Sequence, residues 1–280
     1  MKKFFMAVIA LMMTLSVSAQ FYIYLSSGEV LQADSISMVA PPLLSGEFSV
    51  SASEKVHFSQ GNLQYQASTQ TWRFAESQYD IIGSNNTNIS ASYSGWIDLF
   101  GWGTGNNPTN TSMSSSSYST FTNWGVNEIS NSNQWRTLTM DEWVYLFYGR
   151  PDAAHLFGMG SVNGINGTIL LPDDWAGEKF TDTDSGLANQ GNYYYNSNNN
   201  YSFHTYTAEQ WKTMEEAGAI FLPAAGRRFV TNMYYVGSDG YYWSASPYNE
   251  DAYIVQFNSH YLRPQDKNSR IDGLSVRLVR

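Results

Sequence analysis

The side chains able to carry protons or hold a metal are scattered through this chain without the spacings that would make them a catalytic set. His57, His155, His204 and His260 stand far apart. None has a second histidine at the short helical or loop spacing that brings two imidazoles onto one ion. Asp182-Thr-Asp-Ser-Gly186 opens like an oxygen-rich calcium loop, but its glycine comes one place early and Tyr193 falls where a bidentate glutamate would close the site. It reads as a polar turn. Glu215 and Glu216 are neighbours on an expected helix, where adjacent positions point apart, so they read as its solvated side rather than as an acid pair. There is no G-x-S-x-G elbow and no phosphate loop. The chain has no cysteine, which removes thiolate metal sites, disulfides, a cysteine nucleophile and the lipid attachment of a bacterial lipoprotein. The expectation is a binding protein with no cofactor and no metal. Carboxylates distant in sequence leave open a glycan-active enzyme.

Side chains suited to recognition are gathered at the C-terminus. Gly240–Tyr248 reads as an aromatic strand that breaks at Pro247, and Asp251–Phe257 reads as a pleated strand of period two. Residues Asn258 to Asp272 carry Asn, Ser, His, Tyr, Arg, Gln, Asp and Lys with no period and read as a long polar loop. Gly273–Val279 closes it, with Leu274, Val276 and Leu278 on one face. A packed frame holding an irregular polar loop is a common way to build a recognition surface. An uninvolved surface loop is the other reading.

The elements that must position this stretch follow from the rest of the chain. Lys2 and Lys3, the apolar run Phe4–Leu15 and Val17-Ser18-Ala19 read as a signal peptide over residues 1–19, with Gln20 first in the exported chain. The apolar run is too short to span a bilayer, and no membrane insertion of the mature chain is expected. The full chain has 15 Lys and Arg against 24 Asp and Glu, net −9; loss of Lys2 and Lys3 leaves 13 against 24, net −11. That balance argues against nucleic acid and anionic membranes as partners. Aromatics make up 16% and charged residues only 14%, which leaves surface chemistry to Tyr, Trp, Asn and Ser, as on a secreted β-rich binding face.

Residues Phe21 to Val39 read as a short hairpin, which the Pro41-Pro42 pair separates from a main domain. The expected division is thus 1–19 leader, 20–47 hairpin and linker, 48–280 main domain. The main domain opens with strands at Phe48–Ser51, Lys55–Phe58, Leu63–Tyr65 and Trp72–Phe74. In the Ser- and Asn-rich stretch that follows, Trp96, Phe100 and Trp102 either pin the loop to the core or form a stacking platform. Two helices carry capping boxes, Thr139-Met-Asp-Glu142 and Thr207-Ala-Glu-Gln210. Their apolar stripes are Trp143, Leu146, Phe147 and Trp211, Met214, Ala217, and Gly149-Arg-Pro151 and Gly218 stop them. Ile169–Pro172 reads as a strand end, Ala219–Pro223 as a strand, and the Asn189–Asn200 tract is given no secondary structure.

Taken in order, Phe58-Ser-Gln-Gly-Asn-Leu-Gln-Tyr65, Trp96-Ile-Asp-Leu-Phe-Gly-Trp-Gly103, Thr139-Met-Asp-Glu-Trp143, Phe221-Leu-Pro-Ala-Ala-Gly226, Gly240-Tyr-Tyr-Trp-Ser244 and Gly273-Leu-Ser-Val-Arg-Leu-Val279 resemble the secreted paralogous domains of Bacteroidetes and Fibrobacter. The resemblance covers about Phe48 to Arg280. It implies an α+β chain with the C-type-lectin-like fold shared with formylglycine-generating enzymes: two helices on small antiparallel sheets, paired chain ends and long loops on one side. The oxidase chemistry of those enzymes depends on cysteines and is not expected here. Calcium-dependent sugar binding is not implied either, since Pro264-Gln265-Asp266 has the wrong order and no Trp-Asn-Asp partner.

Some such domains are variable proteins of diversity-generating retroelements, and this C-terminus is similar to that type. The resemblance makes Tyr253, Phe257, Asn258, Pro264, Gln265, Arg270 and Gly273 frame positions. Ile254, Gln256, Tyr261, Arg263, Asp266, Lys267, Ser269 and Asp272 become variable ones, although Gln256 and Lys267 are not products of an Asn codon rewritten at its adenines. With Tyr248, Asn249 and Asp251 these residues make the expected face for a protein or glycan ligand at the cell surface. The alternative is a structural or adhesive subunit of a surface assembly.

Overall fold

The computed structural model describes residues 43–130, 132, 134–181, 194–195 and 200–280, together with the backbone of 21–24, 30–33 and 188–189. The expected leader, the Asp182–Gly186 turn and Tyr193 lie outside the described residues. The chain divides into two compact units, Met1–Ala40 and Pro41–Arg280. In the first, β1 (Phe21–Tyr24) pairs antiparallel with β2 (Val30–Ala33), Tyr24 opposite Val30, as the expected hairpin.

Among its described residues the second unit is mixed α+β, built of small sheets and few helices, and forms no barrel. It opens with β3 (Phe48–Ser49) on β4 (Lys55–Val56), then β5 (Leu63–Gln66) between β6 (Thr71–Phe74) and β7 (Trp96–Ile97). After β8 (Arg136–Thr137) comes α1 (Met140–Val144), which winds on as a π turn over Tyr145–Gly149. A four-stranded sheet holds β9 (Phe157–Val162), β10 (Ile165–Leu170), β13 (Thr205–Tyr206) and β14 (Ile220–Pro223), with α2 (Ala208–Glu216) between the last two. A five-stranded sheet runs in the order β11 (Ala188–Asn189), β12 (Tyr194–Tyr195), β19 (Tyr261–Ser269), β18 (Asp251–Phe257), β17 (Gly240–Tyr248). The short hairpin of β15 (Arg227–Phe229) and β16 (Asn232–Tyr234) precedes β17, and β20 (Leu278–Val279) returns to β8.

Both helices start where the sequence signals a cap. The Thr139 hydroxyl accepts from Glu142 N at 3.3 Å while Glu142 accepts from Thr139 N at 2.7 Å, and Thr207 with Gln210 repeats the exchange at 3.2 and 2.8 Å. Each box satisfies two backbone donors that a helix start leaves unpaired. Trp143, Leu146, Phe147 and Trp211 are buried, whereas Ala217 is exposed. Glu215 is not on a solvated side: it is half-buried and accepts from Gln78 Nε2 at 3.2 Å. Among the described residues no helix is long and apolar enough to cross a membrane.

The C-terminal segment was expected as a core strand, and Leu274, Val276 and Leu278 are each fully buried. They are clamped through bridges Phe100 to Leu274 and Phe58 to Val279. His57 and Arg280 exchange both backbone hydrogen bonds at 2.9 Å, so the end of the chain pairs with the start of the domain.

Three expectations about the strands fail. The supposed loop Asn258–Asp272 is mostly strand β19. Asn258 Oδ1 accepts from the backbone of His260 and Tyr261 at 2.8 and 3.2 Å, which closes a tight turn. Leu262 and Pro264 then face inward, two apolar positions being all that betrays the period. Pro264 is tolerated because the register against β18 shifts around it, between the pairs Gln256 to Arg263 and Ile254 to Asp266. Pro247 likewise does not end β17 but sits at its own register shift. In the Asn189–Asn200 tract, Tyr194 and Tyr195 form a strand opposite Leu262 and Tyr261. The partner lies more than sixty residues away, outside the reach of local pattern. The β9 strand, fully buried and alternating Gly with Phe, Met and Ser, was not anticipated.

Candidate binding cleft

The outward side of the C-terminal sheet carries an open cleft of about 440 Å³. Its floor is made by β17, β18 and β19, with Tyr241, Gln256 and Tyr261 side by side, and one wall comes from Arg227, Tyr235 and Asp239 of the segment before β17. The floor is rigid because its reverse side is core. On that side Tyr242, Val255, Phe257 and Leu262 pack with Trp143 and Phe147; on the cleft's own side, further along the strands from Tyr241 and Gln256, Trp243 and Ile254 pack with Phe100, Trp124 and Leu274. A Cβ on Gly240 would meet the Phe257 ring at 2.0 Å, so only glycine lets these strands close at that point. Phe100 and Trp102 belong to this support rather than to a stacking platform. Phe100 and Trp102 are buried, and Trp102 Nε1 donates to Ser244 O at 3.0 Å. Trp96 is half-buried beneath the Arg73 guanidinium, 3.9 Å from its ring centre.

Hydrogen bonds organise the cleft. Gln256 Nε2 donates to the Tyr261 hydroxyl at 2.7 Å and lies 3.3 Å from that of Tyr241, and Tyr241 donates to Asp239 Oδ2 at 3.4 Å. Burial, with the Asp239 charge beside both, pushes the Tyr241 and Tyr261 hydroxyls above the ordinary tyrosine range. Both are therefore neutral at physiological pH and present hydrogen-bonding oxygens, not anions. The Arg263 guanidinium lies 4.3 Å from the Tyr261 ring centre and reaches Asp266 at 3.4 Å. Arg227 is fixed from behind: its Nη1 lies 2.5 Å from Asp272 Oδ2, and its guanidinium sits 5.6 and 5.9 Å from the Tyr234 and Tyr235 rings.

The expected site residues divide into three groups. Gln256, Tyr261 and Lys267 line the cleft, and Arg263 and Asp266 flank it. Tyr248, Asn249, Asp251 and Ser269 stand at the far end of the hairpin, where Tyr248 and Ser269 both pair with Asp251. Lys267 leans that way, its ammonium 4.0 Å from the Tyr248 ring centre. Arg270 is a buried clamp beneath this end, donating to Asp251 O and Asn249 O at 2.8 Å each. Ile254 and Asp272 do not belong on an exposed face. Ile254 lines the bottom of the cleft but is only 1% exposed, and Asp272 is 2% exposed and acts as the counter-ion of Arg227.

Arg227, Tyr235, Asp239, Tyr241 and Asn268 were not anticipated as site residues. The one local hint is turn chemistry, Tyr234-Tyr-Val-Gly-Ser-Asp239, in which exposed aromatics precede a glycine. Among the described residues no three His, Asp or Glu side chains converge as a metal site. The arrangement is an open, polar, tyrosine-rich cleft on an α+β frame. Residues 192–279, which include every residue lining it, match the model of a domain of unknown function (DUF8237). No curated protein matches the chain, and no solved structure does.

Proposed function

We propose that this is an exported recognition protein of C-type-lectin-like fold, which binds a protein or glycan ligand at the cell surface through the outward face of β17, β18 and β19. The observation that carries the reading is the cleft: Tyr241, Gln256 and Tyr261 present an ordered set of donors and acceptors over a fully packed core. Rigid presentation of Tyr and Arg is what binding surfaces use, because little side-chain freedom is lost on contact. The fold reading is supported by the two capped helices, the small antiparallel sheets and the backbone pairing of His57 with Arg280. Sequence diversification is proposed only for outward positions such as Tyr261 and Arg263, since Phe257, Pro264, Arg270 and Gly273 are buried frame.

An adhesive role in a surface assembly is the second reading. It is favoured by the exposed run Tyr234, Tyr235 and Val236, 41%, 53% and 41% accessible, at the rim of the cleft. An array of glycans and surface proteins, probed with the native chain and with Gln256→Ala/Tyr261→Ala, tests both. A ligand whose binding drops about tenfold or more in the double variant supports recognition at the cleft. Self-association with no array ligand supports assembly, and ligand binding indifferent to the variant refutes the proposed face.

A further inference from the structure

We infer that the cleft takes one unit of a neutral saccharide, its ring lying on Tyr235 and its hydroxyls held by Asp239 and Gln256, with no bridging metal ion; this rests on the recognition reading above and names its ligand class. The size comes first. A cleft of about 440 Å³ falls in the range of small-molecule sites, roughly 300–1,000 Å³, and is concave where a protein contact would be flat. Its lining excludes an apolar ligand: the sole aliphatic contribution is Ile254, which is 1% exposed.

Its charges oppose capture of an ion. Arg227 is neutralised by Asp272 at 2.5 Å, and the Lys267 ammonium is turned toward Tyr248. What is left is one carboxylate, Asp239, among hydroxyl and amide groups.

A sugar ring matches this combination because it offers an apolar C–H face and a rim of hydroxyls that both donate and accept. Tyr235 supplies a flat ring that is 53% exposed and held in place. Its backbone sits at φ 59, and its carbonyl accepts from Ser238 N and Asp239 N at 3.1 and 3.0 Å. The turn is pinned further by Tyr201 donating to Ser238 O at 2.7 Å and by Asn166 donating to Gly237 O at 2.8 Å. Asp239 is aimed by the Ser238 hydroxyl at 2.8 Å and the Tyr241 hydroxyl at 3.4 Å, which leaves carboxylate lone pairs for ligand hydroxyls. Gln256 spends its amide nitrogen on the tyrosines and keeps its carbonyl oxygen for the same purpose.

The test is saturation-transfer NMR on the full chain. The probes are methyl glycosides of neutral hexoses and N-acetylhexosamines, with uronic and sialic acids as charged controls, at millimolar concentration and with a calcium chelator added. At least one neutral glycoside should receive saturation on its ring C–H protons, undiminished by the chelator. Tyr235→Ala and Asp239→Asn should each weaken it about tenfold or more at unchanged melting temperature, whereas Tyr235→Phe should keep it. Alanine shares the positive-φ strain of tyrosine, so the first variant reports the ring alone. Transfer to no neutral glycoside, or transfer that survives both variants, overturns the inference. A protein ligand lost in Gln256→Ala/Tyr261→Ala without saccharide binding would sink this inference and leave the recognition reading intact. A saccharide bound through Tyr235 while array ligands ignore the sheet would do the reverse.

Discussion

Arg227→Met tests how the cleft wall is held. The substitution keeps most of the aliphatic stem and removes the charge opposite Asp272, whose side chain is 2% exposed. Removing one member of a buried pair costs roughly 3–5 kcal/mol, because the survivor is left charged in a poor dielectric. Two features reduce that here. Arg227 is 29% exposed, so water already screens the pair, and Arg228 also attracts Asp272. A loss of about 2–3 kcal/mol at pH 8 is expected.

The loss should depend on pH in a definite sense. Burial raises the Asp272 carboxyl above its ordinary 3.8 even with Arg227 present, and removing Arg227 raises it further. A carboxylate whose folded pKa lies above its unfolded value penalises the fold when ionised, and the penalty is relieved as pH falls through the folded pKa. The variant's deficit should therefore be largest at pH 8 and shrink as pH falls towards about 4. Arg227→Met/Asp272→Leu should recover most of it, since neither charge is then stranded. Urea unfolding at constant m-value measures each quantity. A deficit below about 0.5 kcal/mol at pH 8, or one equal at both ends of the range, would refute the positioning role of Asp272.

Asp98 should leave a second mark of the same sign. Burial lifts its carboxyl from 3.8 to about 6, although Ile82 N and Asn86 Nδ2 donate to it at 2.9 and 2.7 Å. Native stability should consequently fall by roughly 2 kcal/mol as pH rises from about 4 to 7, relative to Asp98→Asn, and parallel urea profiles for the two chains would contradict it. Trp243→Ala, at a site 1% exposed whose Nε1 donates to Phe100 O at 2.6 Å, should cost roughly 3–5 kcal/mol in the same assay; a loss under about 1 kcal/mol would mean that the sheet is not anchored through this ring.

What the sequence made legible was local. The capping boxes at Thr139 and Thr207 lie within four residues, and the buried stripe of Leu274, Val276 and Leu278 shows its period in a single segment. Pairing between distant segments was not legible. Tyr194 finds Leu262, and the polar run after Asn258 becomes a strand because β18 and β12 supply partners that no local pattern reveals. The site was read in part for the same reason. Gln256, Tyr261 and Lys267 share a strand pair and were found together, but Arg227 reaches the cleft from another hairpin and Tyr235 and Asp239 from the turn that follows it. Ile254 lines the cleft yet is nearly buried beside the register shift in β18, and Asp272 folds behind the wall, where an acidic residue survives only as a partner of Arg227.

The central claim is that a packed frame presents the outer face of the C-terminal sheet to a ligand, and amide hydrogen exchange with and without an array-selected ligand tests it most directly. The account predicts added protection confined to backbone amides around 235–241, 256–257 and 261–268, with exchange in α1 and in Leu274–Val279 slow in both states. Protection appearing instead at α2 or along β5 and β6, with these segments unchanged, would contradict it.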